Sequence, residues 1–218
     1  TGARLNVFHI STAKELELFD NKIQLMDKNI TAEVCAHHLW FTDDDYKTLG
    51  SKIKWNPAIK SKNDRDSLWK AINDDRIDII ASDHAPHTKE EKNNKYLNCP
   101  SGGPMVQHTI LSLFQNCYNY GVSIEKIVEK ISHNPATIFD INKRGFLREG
   151  YFADIVLIDP NSETYVTKAS LLYKCGWSPF EGVKFNNSIN KTIVNGKIVY
   201  EDGEIKLSPQ GKKLTFKR

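Results

Sequence analysis

The 218-residue sequence contains no run of 18 apolar residues, no CxxC pair, no basic tract, no internal repeat and no low-complexity segment. The first absence excludes a transmembrane helix, and the opening TGARLNVFHIS lacks the charged, apolar and small-residue segments of a secretion signal. Cys35, Cys99, Cys117 and Cys175 are too few and too scattered to staple a chain of this size, so they read as reduced, mostly buried thiols. Lys and Arg mix with Asp and Glu throughout for a net charge of +3, and no aromatics interleave with a basic stretch. Nucleic acid and membrane are therefore not expected as partners, and the expected protein is soluble and cytoplasmic. What remains, 39% hydrophobic and 26% charged residues, suits one large domain or one plus a smaller one.

Strand-like and helix-like patterns alternate four times in the first 85 residues or so. RLNVFHI at residues 4–10 reads as a buried strand with almost no entry loop before it, so the chain is expected to begin inside a domain. Thr12 and Glu15 form a capping-box pattern ahead of apolar Leu16, Leu18, Phe19, Ile23 and Leu25, which predicts a helix. ITAEVCA from Ile30 predicts a strand, 42–49 a short helix, KIKWN a strand that Pro57 stops, SKNDRDSLWKAINDD a helix and RIDIIAS another strand. This alternation predicts parallel strands joined by crossovers, an α/β layer or half a barrel.

Residues 89–104, rich in Asn, Lys and Gly, predict a long surface loop, and helices are expected over 104–119 and 123–132, with another from Asn134 after a hinge at His133. Beyond residue 140 short strands predominate, with a hairpin turn at Asn195-Gly196. The expected division is residues 1–140 as the barrel part and 141–218 as a small β-sandwich module.

His9, Asn56 and Asp83 all fall where strands end, the edge at which α/β sheets and barrels carry active sites. IIASDHAPHT places Asp83, His84 and His87 within five positions. Each has a bland reading, since Asp caps turns and His beside Pro86 suits a loop. Polar groups directed into a sheet edge nevertheless need partners, and a metal or substrate supplies them. Imidazole and carboxylate suit zinc or a similar ion, although His9 and Asp83 alone do not make a site. His37 and His38 diverge by about a third of a turn or more, so they do not both easily face one ion and they read as packing or supporting groups. His108 and His133 read as structural. Asn56, held extended by Pro57, could present its amide to an imide or carboxylate.

FHISTAKEL, ITAEVCAHHLWFT, KWNPAIK, ASDHAPHT and KRGFLREGYFADIVLIDP resemble, in order and spacing, the C-terminal half of the dihydroorotases of the amidohydrolase superfamily. The resemblance runs from His9 to about residue 160, with a weaker match at VNGKIVY. Related hydantoinases and allantoinases usually lack a His at the position of His87 and the Asn56-Pro57 pair. The resemblance implies a zinc-dependent (β/α)8 barrel with two ions, which reversibly hydrolyses the cyclic amide dihydroorotate to N-carbamoyl-aspartate in pyrimidine biosynthesis. It implies His9 as a metal ligand, Asp83 as metal-touching carboxylate and proton shuttle, Asn56 and His87 as substrate-holding residues, and Gly102 in CPSGGP as a backbone contact to the ring.

Three departures stand out. Ala36 replaces a usual Pro, NPAIK replaces NPPLR so that Lys60 loses a bidentate fork, and no His-x-His occurs anywhere although the family opens with one. The expectation is therefore a segment that lacks the N-terminal barrel half and is inactive alone, with a homo-oligomer left open. The alternatives are another cyclic amidohydrolase of hydantoinase or dihydropyrimidinase type, and a non-catalytic dihydroorotase-like subunit that stabilises a partner enzyme.

Overall fold

A computed structural model describes residues 2–206 and 211–217; residues 1, 207–210 and 218 of the two expected units lie outside it. β1 (Leu5–Val7), β2 (Ile30–Cys35) and β3 (Ile79–Ala81) form one parallel sheet in that order. Leu5 lies opposite Ile30, and Cys35 lies opposite Ala81. Parallel neighbours require long crossovers. The one from β2 to β3 contains α1 (Ala36–Trp40), α2 (Tyr46–Leu49) and α3 (Lys62–Asn73). α3 starts where Ser61 and Asp64 cap each other reciprocally, and it buries Leu68, Trp69, Ala71 and Ile72. The Trp69 indole donates to the Leu39 carbonyl at 2.9 Å and stacks on Tyr120. Its removal would cost about 3–5 kcal/mol.

α4 (Lys89–Lys92), α5 (Thr109–Cys117), α6 (Ile124–Val128) and α7 (Asn134–Ile138) follow. β4 (Ile155–Asp159), β7 (Ser188–Val194), β8 (Lys197–Glu201) and β9 (Glu204–Ile205) form an antiparallel sheet, while β5 (Thr164–Tyr165) pairs with β6 (Lys184–Phe185). Asn195 and Gly196, both at positive φ, make the expected turn between β7 and β8. The architecture is thus an arc of parallel α/β wall followed by a β-rich module. Among the described residues the module has one four-stranded sheet. The segment around β5 and β6 sends Val166, Phe180 and Phe185 back into the α/β core, where Trp40 meets both phenylalanines edge-on. No helix among the described residues is long and apolar enough to cross a membrane.

Four local expectations are corrected. The helix expected after Thr12 is a single 3-10 turn, Glu15–Leu18, and Phe19 is already extended. The Glu15 carboxylate does accept from the Thr12 amide at 2.8 Å, but Asp20 accepts from the Lys22 amide, a local turn that competes with helix continuation. KIKWN is no strand, because the Lys54 carbonyl is taken by the Gly102 amide and the Lys92 ammonium instead of a sheet neighbour. The 89–104 stretch is not all surface loop; it opens with α4 and buries Lys92 and Cys99. His133 is no hinge, since a π-helical turn (Glu129–His133) joins α6 to α7 without a break.

His108, just ahead of α5, is buried, and the Tyr173 hydroxyl lies 3.2 Å from its Nδ1. Burial pushes this imidazole down from 6.5 to about 4, so the folded state keeps it neutral. The unfolded chain binds a proton below 6.5 that the folded chain refuses until about 4. Stability is therefore complete above 6.5 and falls as pH drops to about 4, by about 3 kcal/mol at most. Denaturant titrations across this window are expected to show the decline, flattened in His108→Gln by that amount.

Candidate functional site

Strands β1, β2 and β3 end at one rim, and four side chains meet there. Side chains alternate faces along a strand, so Glu33 and Cys35 share a face of β2. Both reach His9 Nδ1: the Glu33 carboxylate lies 3.1 Å away and the Cys35 sulfur 2.9 Å. The other ring nitrogen, Nε2, faces the Asp83 carboxylate at 3.7 Å. His9 and Asp83 hold φ of 61° and 43°, a left-handed backbone that costs non-glycine residues energy and concentrates at working sites. Burial raises the Glu33 carboxyl pKa, although the neighbouring His9 opposes the shift. Burial also raises the Cys35 thiol well above its ordinary value, helped by the charges of Glu33 and Asp83.

β2 runs directly into α1, which opens with Ala36, His37 and His38. His38 donates Nε2–H to the Pro57 carbonyl at 3.1 Å, and burial lowers it to about 4. His37 is different. It is fully buried, stacks on Trp55 with ring centroids 4.3 Å apart, and neither of its nitrogens has a partner in hydrogen-bond geometry. Burial holds its pKa far below the ordinary value, with the charges of His38 and His9 adding to the effect; the Ser82 backbone only opposes it. A neutral imidazole with orphaned nitrogens costs about 1–3 kcal/mol unless something binds it.

The donor set fits a divalent cation. His9, Glu33 and Cys35 bring three ligand atoms within 4.8 Å of one another, as do Cys35, His37 and His38. Neutral imidazole, carboxylate and sulfur are the donors zinc takes, and a cation would relieve both the desolvated acids and the orphaned His37. From its sequence His37 reads as a packing or supporting group. The signal that could have found it was its place directly beyond the end of β2, level with His9 and Asp83.

Of the remaining candidates, Asn56 is exposed beyond Trp55, and the others have partners of their own. His87 donates Nε2–H to the Ser101 carbonyl at 3.1 Å, while its Nδ1 lies 3.6 Å from Glu91. His84 faces away from the ion cluster: its Nδ1 accepts the amides of Met105 and Val106, and burial lowers its pKa. Gly102 has φ of 115°, and a Cβ there would sit 2.5 Å from the Ala85 carbonyl oxygen and 2.8 Å from the Ala85 Cβ. Gly102→Ala is therefore expected to displace the turn and destabilise the fold by about 1 kcal/mol or more, measured by denaturant titration.

Comparison with known proteins identifies the family. The amidohydrolase family profile matches residues 7–199. A dihydroorotase of Clostridioides difficile is 36% identical over 201 residues, covering 92% of this chain and 47% of that protein. One from Pyrococcus furiosus is 36% identical over 214 residues, covering 97% and 49%. The solved L-hydantoinase (dihydropyrimidinase) from Arthrobacter aurescens superposes with a TM-score of 0.84 at 28% identity, covering 94% of this chain and 47% of that one. The chain spans about half the length of the curated relatives it matches. A rim that gathers imidazole, carboxylate and sulfur at parallel strand ends, in a chain whose sequence and fold both match the same group, leads to one conclusion: this chain belongs to the amidohydrolase family.

Proposed function

We propose that the full-length protein is a zinc-dependent dihydroorotase, reversibly hydrolysing dihydroorotate to N-carbamoyl-aspartate in pyrimidine biosynthesis. The observation that carries this reading is His9, bracketed by Glu33 and Cys35 at one nitrogen and by Asp83 at the other. His9, His37 and Asp83 would hold zinc, with Glu33 and Cys35 close by. The family's His-x-His would come from the part of the relatives that this chain does not span, which completes the (β/α)8 barrel and a site for two ions.

When bound, zinc supplies a more acidic water and polarises the ring carbonyl. Asp83 takes the proton of the attacking water, then returns it to the ring nitrogen as the carbon–nitrogen bond breaks; in the reverse direction it does the opposite. Asn56, His87 and the Gly102 backbone hold the substrate, His87 exchanging its contact with Glu91 for the substrate carboxylate. Four free cysteines suit the reducing cytoplasm proposed as its compartment.

The hydantoinase reading draws support from the structural match to the Arthrobacter enzyme. The full-length, zinc-loaded protein is expected to turn over dihydroorotate at least 100-fold faster than dihydrouracil, and to lose activity to a chelator and recover it with zinc. The reverse preference would favour the hydantoinase reading; no turnover of either would favour the scaffold subunit.

A further inference from the structure

Lys92 is 2% exposed and has no carboxylate partner among the described residues. Its ammonium instead meets three backbone carbonyls, those of Gly102 at 2.8 Å, Pro100 at 3.0 Å and Lys54 at 3.3 Å. The Trp177 ring lies beneath it, 5.9 Å away. A buried cation without an anion is costly unless its hydrogen bonds are complete, and here three protons find three oxygens. Burial pushes the ammonium down to about 8, which leaves it charged at neutral pH.

α4, capped reciprocally by Thr88 and Glu91 directly after His87, returns Lys92 beneath the turn at residues 100–103. That turn touches the segments that carry Asn56, Asp83 and His87. The Gly102 amide donates to the Lys54 carbonyl, two residues before Asn56; the Ala85 amide donates to the Gly103 carbonyl, two residues after Asp83; and the Ser101 carbonyl accepts from His87. The Lys54 oxygen is shared between Lys92 and Gly102.

We infer that Lys92 is a positioning residue whose buried ammonium clamps the 100–103 turn to the segments bearing Asn56, Asp83 and His87, and so sets the backbone surface that receives the substrate ring. The inference rests on the dihydroorotase reading for the identity of that substrate. Lys92 touches neither the ion cluster nor the reacting atoms. Its loss should weaken binding of ground state and transition state alike, which raises KM and leaves kcat nearly unchanged.

The test uses the full-length, zinc-loaded protein. Lys92→Met is expected to raise KM for dihydroorotate tenfold or more with kcat within about threefold of the parent and zinc content unchanged; Lys92→Arg, which keeps charge and donors, should recover part of the loss. Amide exchange at Gly102 and Gly103 should accelerate in Lys92→Met while the β2 amides stay protected. If Lys92→Met does not fold, Lys92→Gln carries the same measurements. Unchanged KM with unchanged exchange at Gly102 and Gly103 overturns the clamp. So does a fall in kcat alone that tracks the folded fraction. If the parent does not hydrolyse dihydroorotate, the functional reading fails, and the exchange experiment still decides the clamp by itself.

Discussion

Asp83→Asn in the full-length, metal-loaded protein is expected to lower kcat for dihydroorotate by roughly 10³-fold, about 4 kcal/mol, with little change in thermal midpoint. Asn is the informative replacement because Asp83 sits at φ 43°, a backbone that Asn tolerates nearly as well as Asp and that Ala does not. The side-chain shape is kept and the proton acceptor is lost. Asp83 is also only 3.7 Å from His9, so its charge contributes to the proposed cation site, and zinc content should fall modestly. Steady-state kinetics alongside metal analysis and thermal melts separate these effects. Activity within tenfold of the parent would remove Asp83 from the proton transfer and end the proposed mechanism.

His37→Phe should have the next largest effect, and it separates two readings of one buried ring. Phe preserves the stack on Trp55 and removes both orphaned nitrogens. Were His37 mere filling, the metal-free protein would gain about 1–3 kcal/mol and turnover would persist. As a metal ligand, its loss should empty about one zinc position per chain and reduce kcat roughly 100-fold or more. Zinc per chain by elemental analysis, set beside melts of the chelated protein, distinguishes them. Full zinc content with full activity would return His37 to the packing role.

The three parallel strands were legible because each is a short apolar run bounded by turn or cap residues, and their ends then named His9 and Asp83 as rim residues without coordinates, whereas Asn56 was named from a strand that does not form. Legibility failed where a local pattern was outcompeted. Thr12 and Glu15 signal a helix and do make the capping bond, yet the Asp20 side chain turns the chain after one 3-10 turn. KIKWN has the composition of a strand, but Lys92 and Gly102, tens of residues downstream, take the Lys54 carbonyl. The expected divergence of His37 and His38 does not hold: their ring centroids lie 4.2 Å apart, and both bring ligand atoms within 4.8 Å of each other and of Cys35. How close the two rings come depends on the phase at which α1 leaves β2, and no residue type encodes that phase.

The three parallel strands, the rim positions of His9 and Asp83 and the family resemblance were all properties of the chain itself, because period-2 apolar runs, caps and prolines act over a few neighbouring residues. The pairing of His9 with Glu33 and Cys35, the orphaning of His37 and the burial of Lys92 under three carbonyls were decided only by tertiary structure. Those contacts join residues up to several dozen positions apart, and their energies come from desolvation, which is set by everything that surrounds a group and not by the residues beside it in sequence.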